Sequence, residues 1–200
     1  MTAAKTEGPV YAFVGLGNPG PRYADTRHNF GFMFIDHLSR ALGVPVEDTA
    51  IAGAVSGHGV WNGHRIILVK PITYMNLSGR AVARLLEKRP EAGDNLWVAH
   101  DDLDLELGWL RIRPGGGSGG HRGVAHIQQV LGHQQFGRFR LGIGRPPGGR
   151  DPADYVLAPF EPSEEPLVLA VLDRAVAAAQ VLMAEGPEAA MSRFNGPVAG

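Results

Sequence analysis

Residues 10–29 read VYAFVGLGNPGPRYADTRHN, and the way this stretch folds decides the class of the whole chain. Residues 10–16 are almost wholly apolar, the pattern of a strand buried on both faces. They run straight into Gly15-Leu16-Gly17-Asn18-Pro19-Gly20, with Asp36 downstream near the spacing of a ribose-binding acid. Those features match the fingerprint of a dinucleotide-binding fold. That fold requires a helix to begin within the glycines, so that its N-terminus faces the pyrophosphate. Pro19 and Pro21 remove two backbone donors and break a helix there, so none can start before about residue 26. Asp36 then falls inside the helix, where a ribose-binding acid has no place. The glycines belong to a loop, and a nucleotide-dependent oxidoreductase is disfavoured.

Outward from this stretch, strands alternate with helices. Thr26 or Asn29 is the predicted cap of a helix running to about residue 42, with Phe30, Phe34, Leu38 and Leu42 at helical spacing and Gly43 and Pro45 to stop it. Residues 52–60 and 64–69 predict a hairpin turning at Trp61-Asn62-Gly63. A loop at 71–74 leads to a helix ending near residue 89, capped by Asn76 or Ser78, with Ala81, Val82, Leu85 and Leu86 inward. Short strands are expected at 96–99, 109–113 and 138–143; a glycine loop (115–120) and a helix (123–131) separate the last two. Residues 161–185 form the clearest amphipathic pattern, and 187–194 a short helix. The expectation is one α/β domain over residues 10–195, a twisted, mixed and mostly parallel sheet with helices on both sides, preceded by a flexible tail at 1–9.

The chain has 200 residues with 28 Gly, 15 Pro and no cysteine. The missing cysteine excludes thiol catalysis, cysteine-ligated zinc and a disulfide scaffold. Uninterrupted apolar runs fall far short of the ~18–20 residues of a membrane span. The first residues lack the basic segment and apolar core of a secretory signal, so a soluble intracellular protein is expected. The net charge of −1 hides an asymmetry: residues 107–150 hold Arg111, Arg113, Arg122, Arg138, Arg140, Arg145 and Arg150 and no acid, while 151–200 are strongly acidic. An all-arginine segment suits a polyanion, although a solvated basic face explains it equally well. In the second glycine cluster, Gly115 to Gly120, His121-Arg122 replaces the Lys-Ser/Thr of a P-loop, which leaves an anion-binding loop rather than a nucleoside triphosphatase.

Without cysteine, the chemistry falls to His, Asp, Asn and Ser. His28, between a constrained loop and a helix start, is placed as a general base, against the plainer reading of an exposed cap. Asp101 follows a strand at the end where α/β sheets gather ligands, and an acid there can orient an imidazole. Asp102, Asp104 and Glu106 alternate, as on a solvated strand edge; a hard-cation site is the lesser reading. Ser78 and Ser118 lack a nucleophile elbow. Asn18, His28, Asn29, Asn76, Asp101 and His121 all fall in loops or at element ends, which together suggests one pocket.

Seven blocks then line up. VGLGNPG (14–20), TRHNFG (26–31), KPITYMNLSG (70–79), HDDLDLELG (100–108), GGGSGGHRG (115–123), FRLGIGRP (139–146) and DYVLAPF (154–160), with Tyr23 between the first two, resemble bacterial-type peptidyl-tRNA hydrolases in order and spacing. The resemblance spans about residues 10–160. It implies hydrolysis of the ester between a peptide and the terminal ribose of tRNA, by a monomeric cytoplasmic enzyme using no metal or cofactor. Its partner would be peptidyl-tRNA, with no DNA or membrane. By position, His28 would activate water and Asp101 would hold its tautomer, while Asn18 would position the reacting carbonyl. Asn76, beside Tyr74 and Met75, would bind the peptide backbone, Tyr23 would meet the tRNA end, and His121 would lie on the mobile rim of the cleft. Arg113 and Arg140 fall where the family clamps the tRNA 5′-phosphate. One departure is Arg122, where the family has Asn; Arg keeps the donors but loses the acceptor and adds a charge. The alternative is a non-catalytic RNA-binding relative, like plastid intron-splicing factors, but Asn18, His28, Asn76 and Asp101 are all retained.

Overall fold

In the computed structural model, which describes residues 8–198, the opening apolar run is strand β1 (Val10–Gly15). The tail expected at 1–9 lies, up to residue 7, outside the described residues. After β1 come α1 (Phe30–Leu42), β2 (Ala54–Trp61), β3 (His64–Pro71), α2 (Ser78–Lys88), β4 (Leu96–Asp102), β5 (Trp109–Arg113), α3 (Arg122–Leu131), β6 (Gly137–Gly142), α4 (Pro152–Val156), α5 (Glu165–Glu185), α6 (Pro187–Phe194) and β7 (Gly196–Pro197). The strands form one seven-stranded sheet in the order β2-β3-β1-β4-β6-β5-β7. Strands β3, β1, β4 and β6 run parallel at its centre, and β2, β5 and β7 add antiparallel at the sides. Residues 12–18 are all buried because β1 lies between two parallel neighbours with helices over both faces. Phe34, Ile35 and Leu38 of α1 and Val171, Leu172 and Leu182 of α5 build the core on one face. Ala81, Val82 and Leu85 of α2 and Val124 and Ile127 of α3 build it on the other.

The prolines act as the sequence requires. After β1 the chain makes one 3-10 turn at Pro21–Tyr23 and a second at Arg27–Asn29, and α1 begins only at Phe30. Two glycines then bring α1 against the sheet. Leu16 N–H donates to Ala99 O at 2.9 Å and Phe32 N–H to Leu16 O at 3.2 Å. A Cβ on Gly15 would collide with the Gly31 carbonyl, and one on Gly31 with the Ala99 carbonyl. This backbone-to-backbone approach sets the turn carrying His28 over the end of β4.

Several expectations change. Strand β4 extends three residues past Ala99, pairing Asp101 with Leu141 and Asp102 with Gly142 of β6. Asp101 is therefore a buried strand residue rather than one that follows a strand, because sheet pairing overrides the poor strand propensity of His-Asp-Asp. Neither Asn76 nor Ser78 caps α2: Leu77 holds the cap position without a side-chain bond, and Ser78 Oγ donates to Met75 O. Thr26 and Asn29 make no side-chain cap either. Helix α5 starts at Glu165, not 161. It is long and apolar enough by length and composition to cross a membrane, a feature that Asp173 and Arg174 hide by interrupting the apolar run. In the fold its Val171, Leu172, Ala175, Ala178, Ala179, Leu182 and Met183 are core residues.

Because the Gly31 site has no room for a methyl group, Gly31→Ala is expected to lower stability by about 1–3 kcal/mol. Thermal unfolding would measure it, and an unchanged melting temperature would mean that α1 can back away from the sheet.

Candidate active site

Three segments meet at Asp101. The carboxylate, 3% exposed, sits near the C-terminal end of β4. His28 reaches it from the turn before α1, with Nδ1 3.0 Å from both carboxylate oxygens. His121 reaches it from the N-terminus of α3, with Nε2 2.8 Å from Oδ1. The partners set the tautomers. His121 Nδ1 accepts from Val124 N–H at 3.3 Å, so its proton is on Nε2 and both ring nitrogens are engaged. His28 donates from Nδ1, and its Nε2 keeps a lone pair with no protein partner among the described residues. Burial by itself would raise the Asp101 carboxyl; electrostatic attraction to the His28 and His121 rings and the hydrogen bonds they donate outweigh it and hold the group well below the usual carboxylate range.

The carboxamides organise the other wall. Asn18 Oδ1 accepts from Met75 N–H at 2.8 Å, which leaves Nδ2 as the free donor of that amide. Asn29 locks the backbone beneath it: Asn18 N–H donates to Asn29 Oδ1 at 2.8 Å, and Asn29 Nδ2 donates to Asn18 O at 3.0 Å. The turn bearing His28 is tied down from outside by Arg27, whose Nη2 meets Glu164 at 2.6 Å and whose Nη1 donates to Pro159 O. The Arg27 guanidinium also lies 4.4 Å from the Tyr155 ring.

Other expected site residues stand further out. Met75 is buried, whereas Tyr74 and Asn76 are exposed, so Asn76 joins the group only through its neighbour's backbone. Tyr23 is half-buried, with the Arg22 guanidinium over its ring. His121, expected on the rim of the cleft, has a side chain that is 7% exposed and held at both nitrogens. Arg122, the first residue of α3, points no bond at the protein among the described residues and is exposed. Arg113 is exposed at the end of β5, lining an open cleft of about 670 Å³ with His133 and Gln135.

The acid-free arginine segment is less free than its sequence suggests. Arg140 Nε pairs with Asp102 Oδ2 at 2.6 Å, Arg145 with Asp104, and Arg138 is buried. Asp102 is therefore a buried counter-ion rather than part of a solvated edge, since β4 places it beside Arg140 of the adjacent strand. Donor atoms of His28, Asp101 and His121 all lie within 4.8 Å of one another, close enough by distance for a cation. Direct N–H···O bonds already link both imidazoles to the carboxylate.

A family profile described as peptidyl-tRNA hydrolase matches residues 12–199. The chain belongs to the peptidyl-tRNA hydrolase family. A member from Symbiobacterium thermophilum is 48% identical over 184 residues, covering 91% of this chain and 97% of its own length. One from Moorella thermoacetica is 49% identical over 187 residues, covering 93% and 98%. The crystal structure of peptidyl-tRNA hydrolase from Acinetobacter baumannii matches with a TM-score of 0.89 at 33% identity, over 98% of this chain and 99% of that one. The mixed sheet with its parallel centre is thus the fold of this hydrolase family.

One residue of the site escaped the sequence reading. His100 precedes Asp101, is buried, donates from Nδ1 to Asp101 O at 2.8 Å and packs its ring against His121, centroids 4.8 Å apart. Its strand neighbours gave no sign, because a histidine in an acidic run reads as solvated. Burial, then the nearby His121, pushes its imidazole down to about 3. An unfolded histidine titrates near 6.5, so the unfolded chain binds the extra proton between those values. Stability is therefore complete above about pH 6.5 and falls with acidification, by at most about 1.4 kcal/mol per pH unit from this group. The depressed Asp101 adds a further loss only below its ordinary value of about 4. Urea unfolding of the parent and His100→Gln between about pH 7 and pH 4 should show a shallower slope in the variant; equal slopes would rule His100 out as the cause.

Proposed function

We propose that the chain cleaves the ester between a peptide and the terminal ribose of tRNA, using a water deprotonated by His28. The observation that carries this reading is the inequality of the two imidazoles on Asp101. His121 has both nitrogens occupied, whereas His28 Nε2 is left for a water. The attacking oxygen adds to the ester carbonyl as its proton passes to Nε2, and the buried carboxylate balances the resulting imidazolium. The Nδ2 donor of Asn18 is suited to the carbonyl oxygen as negative charge develops there. Collapse expels the ribose oxygen, which takes the proton back from His28, leaving a free peptide carboxylate and tRNA. An ester is labile enough that a positioned water and a base suffice, without a covalent nucleophile.

Substrate binding follows from the outer residues. Tyr74 and Ile72 are exposed beside Asn76, an apolar margin with an amide that can bind a peptide backbone without reading its sequence. Tyr23 stands towards the tRNA end, while Arg113, Arg140 and Arg122 supply phosphate contacts, which position rather than read bases. The family resemblance supports a monomeric cytoplasmic enzyme acting on peptidyl-tRNA, with no metal or cofactor.

His28→Ala is expected to lose about 10²–10⁴ in kcat on N-blocked aminoacyl-tRNA while still binding tRNA. Near-parental turnover would remove His28 from the role of base, and tRNA binding with no turnover in the parent would favour the non-catalytic relative. Arg113→Ala should raise KM and flatten its salt dependence by about one unit of logarithmic slope; a KM that tracks the parent at every salt concentration would count against the phosphate contact.

A further inference from the structure

Among the described residues, the most voluminous fully buried side chain is a cation, Arg138, 2% exposed. Its Nη1 donates to Phe136 O, its Nη2 to Gly116 O at 3.0 Å, and the guanidinium lies 3.5 Å from the Phe136 ring centroid. Its Nε is buried with no partner among the described residues. The contrast with the other arginines is the point. Buried Arg27 has Glu164 and half-buried Arg140 has Asp102, but Arg138 bonds carbonyl oxygens and no carboxylate. Burying a charge costs several kcal/mol unless an opposite charge answers it, and an apolar side chain of similar volume would avoid that cost. Burial and the like charge of Arg140 push the guanidinium down to about 10, which leaves it cationic at neutral pH.

Its surroundings suggest what answers the charge. Strand register sets Arg113 opposite Arg138 and Arg111 opposite Arg140. Opposed residues of an antiparallel pair project to one side, and so do alternate residues of a strand. Four arginines therefore share one face of the β5–β6 pair, while Leu110, Ile112, Phe139 and Leu141 fill the other as core. Arg138 also braces the foot of the glycine loop: Gly116 O accepts from Arg138 and from Gln128 Nε2 at 2.8 Å, and Gly116 N–H donates to Gln134 O at 3.4 Å. That loop ends at His121.

We propose that Arg138 is a positioning residue of the phosphate site: it braces the glycine loop and supplies an unanswered positive charge behind Arg113 and Arg140, for which a substrate phosphate is the counter-ion. This rests on the reading of Arg113 and Arg140 as phosphate contacts. Kinetics on 5′-phosphorylated and dephosphorylated N-blocked aminoacyl-tRNA separate the two claims. Arg138→Met is expected to raise KM roughly five- to ten-fold for the phosphorylated substrate, about 1 kcal/mol, with little change for the dephosphorylated one. Arg138→Lys, which keeps the charge but not the two-carbonyl fork, should retain most of the discrimination. A KM that rises equally on both substrates, or a fall in kcat alone, would reduce Arg138 to a brace and overturn the proposal. If Arg113→Ala also fails to discriminate, the phosphate contact itself is wrong; if it discriminates and Arg138→Met does not, only the buried charge is. Should Arg138→Met not fold, low millimolar inorganic phosphate is expected to raise the melting temperature of the parent above that in chloride of equal ionic strength. Equal melting in the two salts would overturn the proposal by a separate route.

Discussion

The site depends on one buried carboxylate. Asp101 accepts from His28, 73 positions away in the chain, and from His121, 20 positions away, and nothing but the fold brings them together. A carboxylate taken out of water is costly unless its lone pairs are occupied by donors, and two imidazole N–H groups occupy them here. The same bonds decide which imidazole is available. By engaging both nitrogens of His121 and only one of His28, the network leaves His28 Nε2 as the one imidazole nitrogen of the pair without a protein partner among the described residues. His100, locked neutral behind them, packs the third ring of the group without adding charge.

That carboxylate would be out of reach of His28 without close backbone packing. Gly15 and Gly31 let the start of α1 press directly on the ends of β1 and β4, and any side chain there would hold the turn away. Arg27 pins the same turn from the other side to Glu164 and the chain before α5. Removing Glu164 would strand the buried Arg27 charge, so this tie resists loosening more than an exposed ion pair does. The long apolar helix α5 thereby supports the site from a distance: its own side chains fill the core, and its cap residue, Glu164, holds the histidine's turn in place.

The arginine segment divides by burial into different jobs. Arg140 and Arg145 are partly neutralised by acids at and just after the β4 end, Arg138 lies under the glycine loop with no acid paired to it among the described residues, and Arg113 and Arg122 face solvent. Counting charges along the chain treats these as equal. Their electrostatic effect is not equal, because a charge in a low-dielectric interior acts more strongly on its neighbours than one screened by water.

The sequence alone determined the fold class, since apolar strand runs, helical spacing and prolines at 19 and 21 are local signals that survive any packing. It also singled out His28, Asp101, Asn18 and His121 as residues of interest, through their place at element ends. Tertiary structure alone decided their relations. Pairing with β6 drew Asp101 into a strand, the backbone of Asn18 turned Asn29 from a cap into a brace, and Arg140 gained an acid from the adjacent strand. None of this could be read locally, because protonation state, tautomer and effective charge are set by what lies within a few ångströms in space, and those neighbours are distant in sequence.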